Sequence, residues 1–137
     1  MSTYKLMMHC DTVIIYNTKT GVELTAMGVP VIVAGEAWIR NKGFAMDVDD
    51  SGSYFKLLDR LPLNKKMPEA DVLRAKKYAY HFFFRRMIPL DFMTPTGTNP
   101  PFKIDLSDLE ELMPGKNAGL DVICNGILEG TDFTYNP

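Results

Sequence analysis

The sequence predicts an α/β fold: a partial Rossmann-like domain with a small parallel sheet of two or three strands and about five helices. Segment Thr12–Tyr16 is β-branched and continuously apolar, which is typical of a strand buried on both faces of a parallel sheet. A helical segment follows over Gly21–Met27, and Gly28 is placed to end it in a left-handed conformation. Pro30 then precedes a second strand, Val31–Ala34. Strand, helix and strand in this order form a compact βαβ unit.

Caps and helix breakers predict the remaining elements of the first half. A helix over Ser2–His9, with Ser2 as its cap, precedes the βαβ unit, and Phe44–Val48 is a short further strand. Two more helices are expected over Asp49–Leu61 and Glu69–Met87, because Pro62 and Pro89 follow their ends.

The second half is predicted to be helices joined by stiff loops, without strands. Met93–Pro101 contains three prolines and is expected to be a loop. Ser107 and Glu110 have capping-box spacing and open a short helix. Asn117 caps a last helix that ends before Gly130. We predict a single domain over residues 1–137, with an α/β core over 1–61 and a helical part over 62–137.

Composition excludes several classes of protein. The chain has 137 residues, the size of one domain, and its 15 basic and 17 acidic residues give a net charge of −2. No nucleic-acid partner is therefore expected, because such binding needs a basic surface. Cys10 and Cys124 are far apart, which predicts neither a disulfide framework nor a zinc site and favours a cytoplasmic location. No apolar run approaches the roughly 20 residues of a membrane span, so membrane association is expected to be at most peripheral.

The loop after the first strand carries residues suited to an anion. In open α/β sheets ligands bind beyond the carboxyl ends of the strands, and the first amides of a helix lack internal partners. The hydroxyls of Thr18 and Thr20, the Lys19 ammonium and close backbone approach at Gly21 therefore predict a phosphate site. The alternative is a capping box formed by Thr20 and Glu23, which leaves Lys19 and Gly21 unexplained.

The loop after the second strand is expected to lie beside the first, because neighbouring parallel strands end at the same edge. Its candidates are Arg40 and Lys42 for a phosphate or a sugar acid, and Glu36 for sugar or acceptor hydroxyls. The alternative is that Trp38 anchors the core and that the charges are merely solvated.

The stretch that contains both loops resembles a known family. Asp-x-Val-Ile-Ile-Tyr-Asn-Thr-Lys-Thr-Gly-Val-Glu, followed by Met-Gly-Val-Pro-Val-Ile-Val-Ala-Gly-Glu, is similar to the C-terminal, donor-binding half of GT-B-type glycosyltransferases. More narrowly, it resembles bacterial capsule and surface polysaccharide biosynthesis proteins. The resemblance is most specific over Cys10–Gly43 and extends to Arg74–Leu90 and Leu112–Gly130.

The resemblance implies a function and partners. Thr18, Thr20 and the amide of Gly21 would hold the donor phosphate, and Glu23 would bond a ribose or sugar hydroxyl. Transfer would proceed without a metal or other cofactor, with the nucleotide sugar as substrate. The catalytic base usually comes from an N-terminal, acceptor-binding domain, which is the expected partner, so no residue of this chain is assigned a catalytic role. The chain alone is expected to be inactive, in the cytoplasm or peripherally at the inner face of the membrane.

The aromatic helix Glu69–Met87 leaves other functions open. Its apolar stripe has the spacing typical of core packing and consists of Val72, Ala75, Ala79, Phe82 and Phe83. An exposed aromatic face would instead make the chain a non-catalytic interaction module that docks through residues 69–87, with a homodimer as one form. A sugar-nucleotide epimerase half is a third alternative, although the sequence does not place its acid and base carboxylates.

Overall fold

The computed structural model describes residues 2–137, which form two compact units, one over residues 2–80 and the other over His81–Pro137. The predicted class is confirmed, since the described residues form an α/β structure with five α-helices and a three-stranded parallel sheet. The assignment of one domain with its core over 1–61 stays a prediction. Within residues 2–137, no helix is both long enough and apolar enough to cross a membrane.

The parallel sheet lies in the first unit. Its strands are β1 (Val13–Ile15), β2 (Val31–Val33) and β3 (Met46–Asp47), in the order β1-β2-β3. Helix α2 (Thr20–Ala26) connects β1 to β2, so the predicted βαβ unit is present. Gly28 has a φ of 86° after this helix, the left-handed conformation that a glycine adopts without strain.

Strand β1 is less buried than the sequence predicts. Ile14 pairs in register with Ile32, which is fully buried, yet Ile14 itself is 43% exposed. The prediction of burial on both faces is wrong for β1 because this strand lies at one edge of the sheet. Only β2, between two neighbours, is buried at every position.

Three further helices complete the first unit: α1 (Thr3–Met7), α3 (Ser51–Leu58) and α4 (Glu69–Tyr80). Ser2 occupies the N-cap position of α1, but its side chain makes no capping hydrogen bond. Asp50 caps α3, and its carboxylate accepts a hydrogen bond from the Ser53 amide.

The hydrophobic core holds α2 between the sheet and α4. Helix α4 contributes Ala75, fully buried, where α2 and α4 pack together. The buried apolar residues of the core are Ile15, Val22, Leu24, Val29, Val31, Ile32, Val33, Ile39, Phe44, Val48 and Ala75. All lie within the first unit, so this unit is the one that positions the loops at the ends of β1 and β2.

The second unit begins with a change of helix type. The predicted continuous helix over Glu69–Met87 is α4 followed by a π-helical segment, His81–Arg86. The last helix, α5 (Ala118–Glu129), is capped by Asn117, whose side chain accepts a hydrogen bond from the Leu120 amide as predicted. Gly130 follows with a φ of 72°.

The proline-rich segment contains strands, so the prediction of a loop without strands is wrong. Strands β4 (Met93–Pro95) and β5 (Phe102–Ile104) form an antiparallel hairpin. Pro95 is tolerated because it lies at the end of a short strand in a sheet of two strands. The Thr96 hydroxyl donates to the carbonyl of Pro100 at 2.6 Å, which closes the turn without amide donors from the prolines.

The capping box expected at Ser107 is displaced by one residue. Asp108 is the cap of a short 3-10 helix, Leu109–Leu112, and accepts a hydrogen bond from the Glu110 amide. The Ser107 amide donates to the Glu111 side chain. The pattern predicted the right position in the chain but the wrong pair of residues.

The Asp11 carboxylate joins two distant parts of the first unit. It accepts hydrogen bonds from the Thr12 hydroxyl at 2.8 Å and from the amides of Leu63 and Asn64, both at 2.7 Å. The bond from Thr12, together with those from the two amides, holds the pKa of Asp11 below its usual value. The ionised carboxylate is therefore the form that stabilises the fold.

This lowered pKa predicts acid sensitivity. The contribution of ionised Asp11 to the stability of the fold is fully present above the unfolded pKa of about 3.9. It is lost as the pH falls through the lower pKa of the folded state. Asp11→Asn should therefore lower the urea midpoint at pH 7, and its difference from the wild type should shrink as the pH falls below about 4. Asp59→Asn is the control, since the Asp59 side chain makes no hydrogen bond or ion pair among residues 2–137. If Asp11→Asn and the wild type differ in urea midpoint by the same amount at all pH values, this role of Asp11 is contradicted.

Candidate functional site

The two candidate loops meet at the carboxyl edge of the sheet. Residues 16–19 follow β1, and residues 34–45 lie between β2 and β3. Two contacts join the loops. Tyr16 lies against Gly35, and Ile39 reaches the first turn of α2 at Gly21. We call residues 16–21 and 35–42 together the carboxyl-edge site.

The first loop supplies side chains but few free amides. The amides of Thr20, Gly21 and Val22 donate to the Thr18 hydroxyl oxygen, the Thr18 carbonyl and the Lys19 carbonyl. The expectation that the first helical amides lack internal partners is therefore wrong for these three. Helix α2 has only seven residues, and its start is closed by its own turn. Any anion at this turn would have to be held by side chains.

The capping-box alternative is also wrong. The N-cap residue of α2 is Lys19, whose side chain makes no capping hydrogen bond. Thr20 is the first helical residue, and the Thr18 hydroxyl donates to the Thr20 hydroxyl at 3.2 Å. Thr18 and Lys19 are exposed, and Lys19 has no ion pair or hydrogen bond from its side chain among residues 2–137. The first loop therefore presents a hydroxyl and an uncommitted ammonium to solvent.

Packing explains the glycine at position 21. A Cβ there would lie 2.5 Å from Ile15 Cδ1 and 2.9 Å from Ile39 Cδ1. Both isoleucines are buried, at 5% and 1% exposure. Gly21 lets the helix approach the sheet and the second loop closely. Packing therefore explains why position 21 is a glycine, without a ligand.

Glu23 has a protein partner that the sequence did not indicate. The hydroxyl of Tyr4, in α1, donates a hydrogen bond to the Glu23 carboxylate. This hydrogen bond, with burial and the charge of Glu23, raises the pKa of Tyr4 and so favours the protonated phenol that donates the bond. A ligand hydroxyl at Glu23 would have to share this carboxylate with Tyr4. The short α1 segment carries no periodic signal that could have identified Tyr4 beforehand.

The guanidinium of Arg40 is hydrogen-bonded at both ends of its own loop. Its guanidinium donates to the carbonyls of Gly35 at 3.3 Å and Val48 at 2.8 Å, and to Asp49 Oδ1 at 2.9 Å. The side chain is only 14% exposed, and Glu36 approaches it at 3.7 Å. Arg40 therefore ties the start of the loop to its end and has little capacity left for a phosphate.

The other residues of the second loop face solvent. The side chain of Glu36 is 90% exposed, and Lys42 is exposed without an ion pair or hydrogen bond from its side chain among residues 2–137. The interpretation of Trp38 as a core anchor is wrong, since Trp38 is 53% exposed and its neighbour Ile39 enters the core. The only tryptophan of the chain thus lies at the surface of the carboxyl-edge site.

Helix α4 holds the second loop in place. The Tyr78 hydroxyl donates to the Trp38 carbonyl at 2.9 Å, and the Tyr78 ring packs on Phe44 with centroids 5.5 Å apart. The Arg74 guanidinium donates to the Gly43 carbonyl. Burial raises the pKa of Tyr78, so its hydroxyl stays protonated as the donor of this hydrogen bond. The loop is therefore fixed at several points of its backbone.

Two clefts of the first unit lie away from the carboxyl-edge site. One, of about 570 Å³, is lined by residues at the amino ends of β2 and β3 together with Arg60, Lys65 and Lys66. The other, of about 600 Å³, lies near Cys10 and Asp11. Residues 16–21 and 35–42 line neither of these two clefts.

The chemistry available at the carboxyl-edge site is cation, hydroxyl, carboxylate and aromatic ring. Lys19 and Lys42 provide positive charge, Thr18 a hydroxyl, Glu36 a carboxylate and Tyr16 an exposed ring. Among residues 2–137, no group of three or more His, Cys, Asp or Glu side chains is placed to hold a metal ion.

Compared with known proteins, the chain matches no family model, no curated protein sequence and no solved structure.

Proposed function

We propose that the chain is the donor-binding portion of a glycosyltransferase-like protein of capsule polysaccharide biosynthesis, and that the carboxyl-edge site binds the phosphates of a nucleotide sugar. The observation that carries the proposal is the meeting of the two loops at one edge of a parallel sheet, where Tyr16 lies on Gly35 and Ile39 on Gly21. Ligands of open α/β sheets bind at this edge. The sequence resemblance over Cys10–Gly43 covers the same two loops.

The contacts of each residue indicate which role it has in the site. Lys19 and Lys42 have uncommitted ammonium groups and would neutralise the phosphates, whereas the single proton of the Thr18 hydroxyl is already donated to Thr20. Glu36 would accept a hydrogen bond from a sugar hydroxyl, because its exposed carboxylate is only loosely paired with Arg40. Arg40 and Gly21 would act by holding the two loops in position.

Transfer requires groups that these residues do not supply. A separate acceptor-binding domain would provide the catalytic base and the acceptor, and the chain alone would bind the donor without turning it over. The ammonium groups of Lys19 and Lys42 beside the departing phosphate would stabilise its negative charge, which is electrostatic catalysis. We place such a protein in the cytoplasm, at most peripherally at the inner face of the membrane.

Calorimetric titration of the chain with UDP, CDP and CMP tests the proposal. We expect saturable binding of at least one nucleotide, weakened about tenfold by Lys19→Gln and by Lys42→Gln, since a hydrogen bond to a charged group contributes about 1.5 kcal/mol or more. Lys56→Gln is the matched control, because Lys56 is an exposed lysine of α3 outside the site. Absence of saturable binding, or an equal loss in all three variants, would refute the proposal.

A further inference from the structure

The ring of Tyr16 occupies an unusual position at the carboxyl-edge site. Tyr16 directly follows β1 and is 76% exposed, far more than an aromatic residue that packs in a core. Its ring nevertheless rests on the backbone of Gly35, which follows β2. A Cβ built on Gly35 would lie 2.6 Å from Tyr16 Cδ2 and 2.7 Å from Cε2. The ring is thus held against the protein on one side and open to solvent elsewhere.

The glycine at position 35 leaves room for this ring, which any larger residue would displace. The φ of Gly35 lies outside the left-handed region, so the backbone conformation does not demand a glycine. The Gly35 carbonyl also accepts a hydrogen bond from Arg40, which fixes the surface on which the ring rests. Gly35 and Arg40 together form a rigid support beneath an exposed aromatic side chain.

We propose that Tyr16 is the stacking platform for the base of the nucleotide donor, an inference that rests on the proposed function because it assigns a residue to the same site. Every nucleobase has a π face, and stacking on an aromatic side chain binds it without selecting strongly among bases. Tyr16 and Lys19 are three residues apart, at most about 10 Å along the chain. One nucleoside diphosphate can therefore place its base on Tyr16 and its phosphates near Lys19.

Tyr16 would contribute to the binding of the base and not to the binding of the phosphates. UDP carries both, whereas inorganic pyrophosphate carries only phosphates. Removing the platform should weaken UDP binding about 5- to 150-fold, the loss seen when an aromatic residue beneath a base is replaced by alanine. It should leave the affinity for pyrophosphate unchanged.

The test is a pair of titrations, UDP and pyrophosphate, on the wild type and on Tyr16→Ala, Tyr16→Phe and Gly35→Ala. We expect Tyr16→Ala to weaken UDP binding alone and Tyr16→Phe to retain it. Gly35→Ala should displace the ring, which is exposed enough to move, and should weaken the binding of UDP more than the binding of pyrophosphate.

In the wild type, the ring protons of Tyr16 should shift upfield in NMR spectra with UDP and not with pyrophosphate. Tyr80→Ala is the control for removing an exposed tyrosine outside the site.

The outcomes distinguish this inference from the proposed function. Equal affinity of the wild type for UDP and pyrophosphate, or an equal loss of both in Tyr16→Ala, would overturn the platform and leave the phosphate site standing. Failure of the wild type to bind either ligand would overturn the proposed function and the platform together.

Discussion

Gly119→Ala should strongly destabilise the second unit, residues 81–137, although it adds only one methyl group. A Cβ at Gly119 would lie 1.7 Å from the carbonyl oxygen of Pro89 and 2.9 Å from its carbonyl carbon. These are backbone atoms, so no side-chain rotation relieves the overlap, and the proline ring restricts the backbone that would have to move. Overpacking of this kind costs about 1–3 kcal/mol, and the backbone clash places the expected loss at about 3 kcal/mol.

Such a loss is large for a small compact unit, since whole domains are stable by only about 5–15 kcal/mol. Urea unfolding followed by circular dichroism measures it, and amide exchange over α5 locates it. Gly126→Ala is the matched control in the same helix, because the three heavy atoms nearest to its Cβ all belong to the side chain of Phe133, which is 39% exposed, and none to the backbone. Equal stability of the two variants would show that α5 does not pack on Pro89 as described.

Gly21→Ala should destabilise the first unit and disturb the carboxyl-edge site at the same time. Overpacking against the buried side chains of Ile15 and Ile39 costs about 1–3 kcal/mol. The higher helix propensity of alanine returns up to about 1 kcal/mol, so the expected net loss is about 1–2 kcal/mol. Because Ile39 belongs to the second loop, its displacement should also shift residues 36–42 and weaken nucleotide binding.

The matched control is Gly52→Ala, a glycine in the exposed first turn of α3. The nearest heavy atom to its Cβ would be Asp50 Oδ1 at 3.0 Å, the oxygen that caps α3, so this exposed carboxylate has to give slightly while it keeps the Ser53 amide. Chemical unfolding should show that Gly52→Ala changes the stability much less than Gly21→Ala, which is destabilised. If both variants gain stability, the close packing of α2 on Ile15 and Ile39 is refuted.

The βαβ unit could be predicted because its signals are local. A β-branched run, a glycine that ends the helix and a proline before the next strand are read within about 20 residues of sequence, and the structure places β1, α2 and β2 there. The cap at Asn117 and the left-handed Gly130 were local signals as well. The hairpin of β4 and β5 was missed because its pairing joins residues on either side of a proline-rich turn.

The carboxyl-edge site was predicted only in its location. Parallel strand order fixes which loops meet, but contacts across the fold decide which side chains remain available. The sequence predicts Arg40 as a phosphate ligand, but its bonds to Val48 and Asp49 occupy the guanidinium. The bond from Tyr4 to Glu23 depends on where the fold places α1 beside α2, which no periodicity of a five-residue helix reveals.

The most direct test of the account is to map nucleotide binding on the wild-type chain by amide NMR. Titration with UDP should shift the resonances of residues 16–21 and 35–42 in a saturable manner, with Lys19 and Lys42 among those that move most. Shifts centred instead on the cleft near Arg60, Lys65 and Lys66, or no shifts at all, would contradict the assignment of the donor to the carboxyl-edge site.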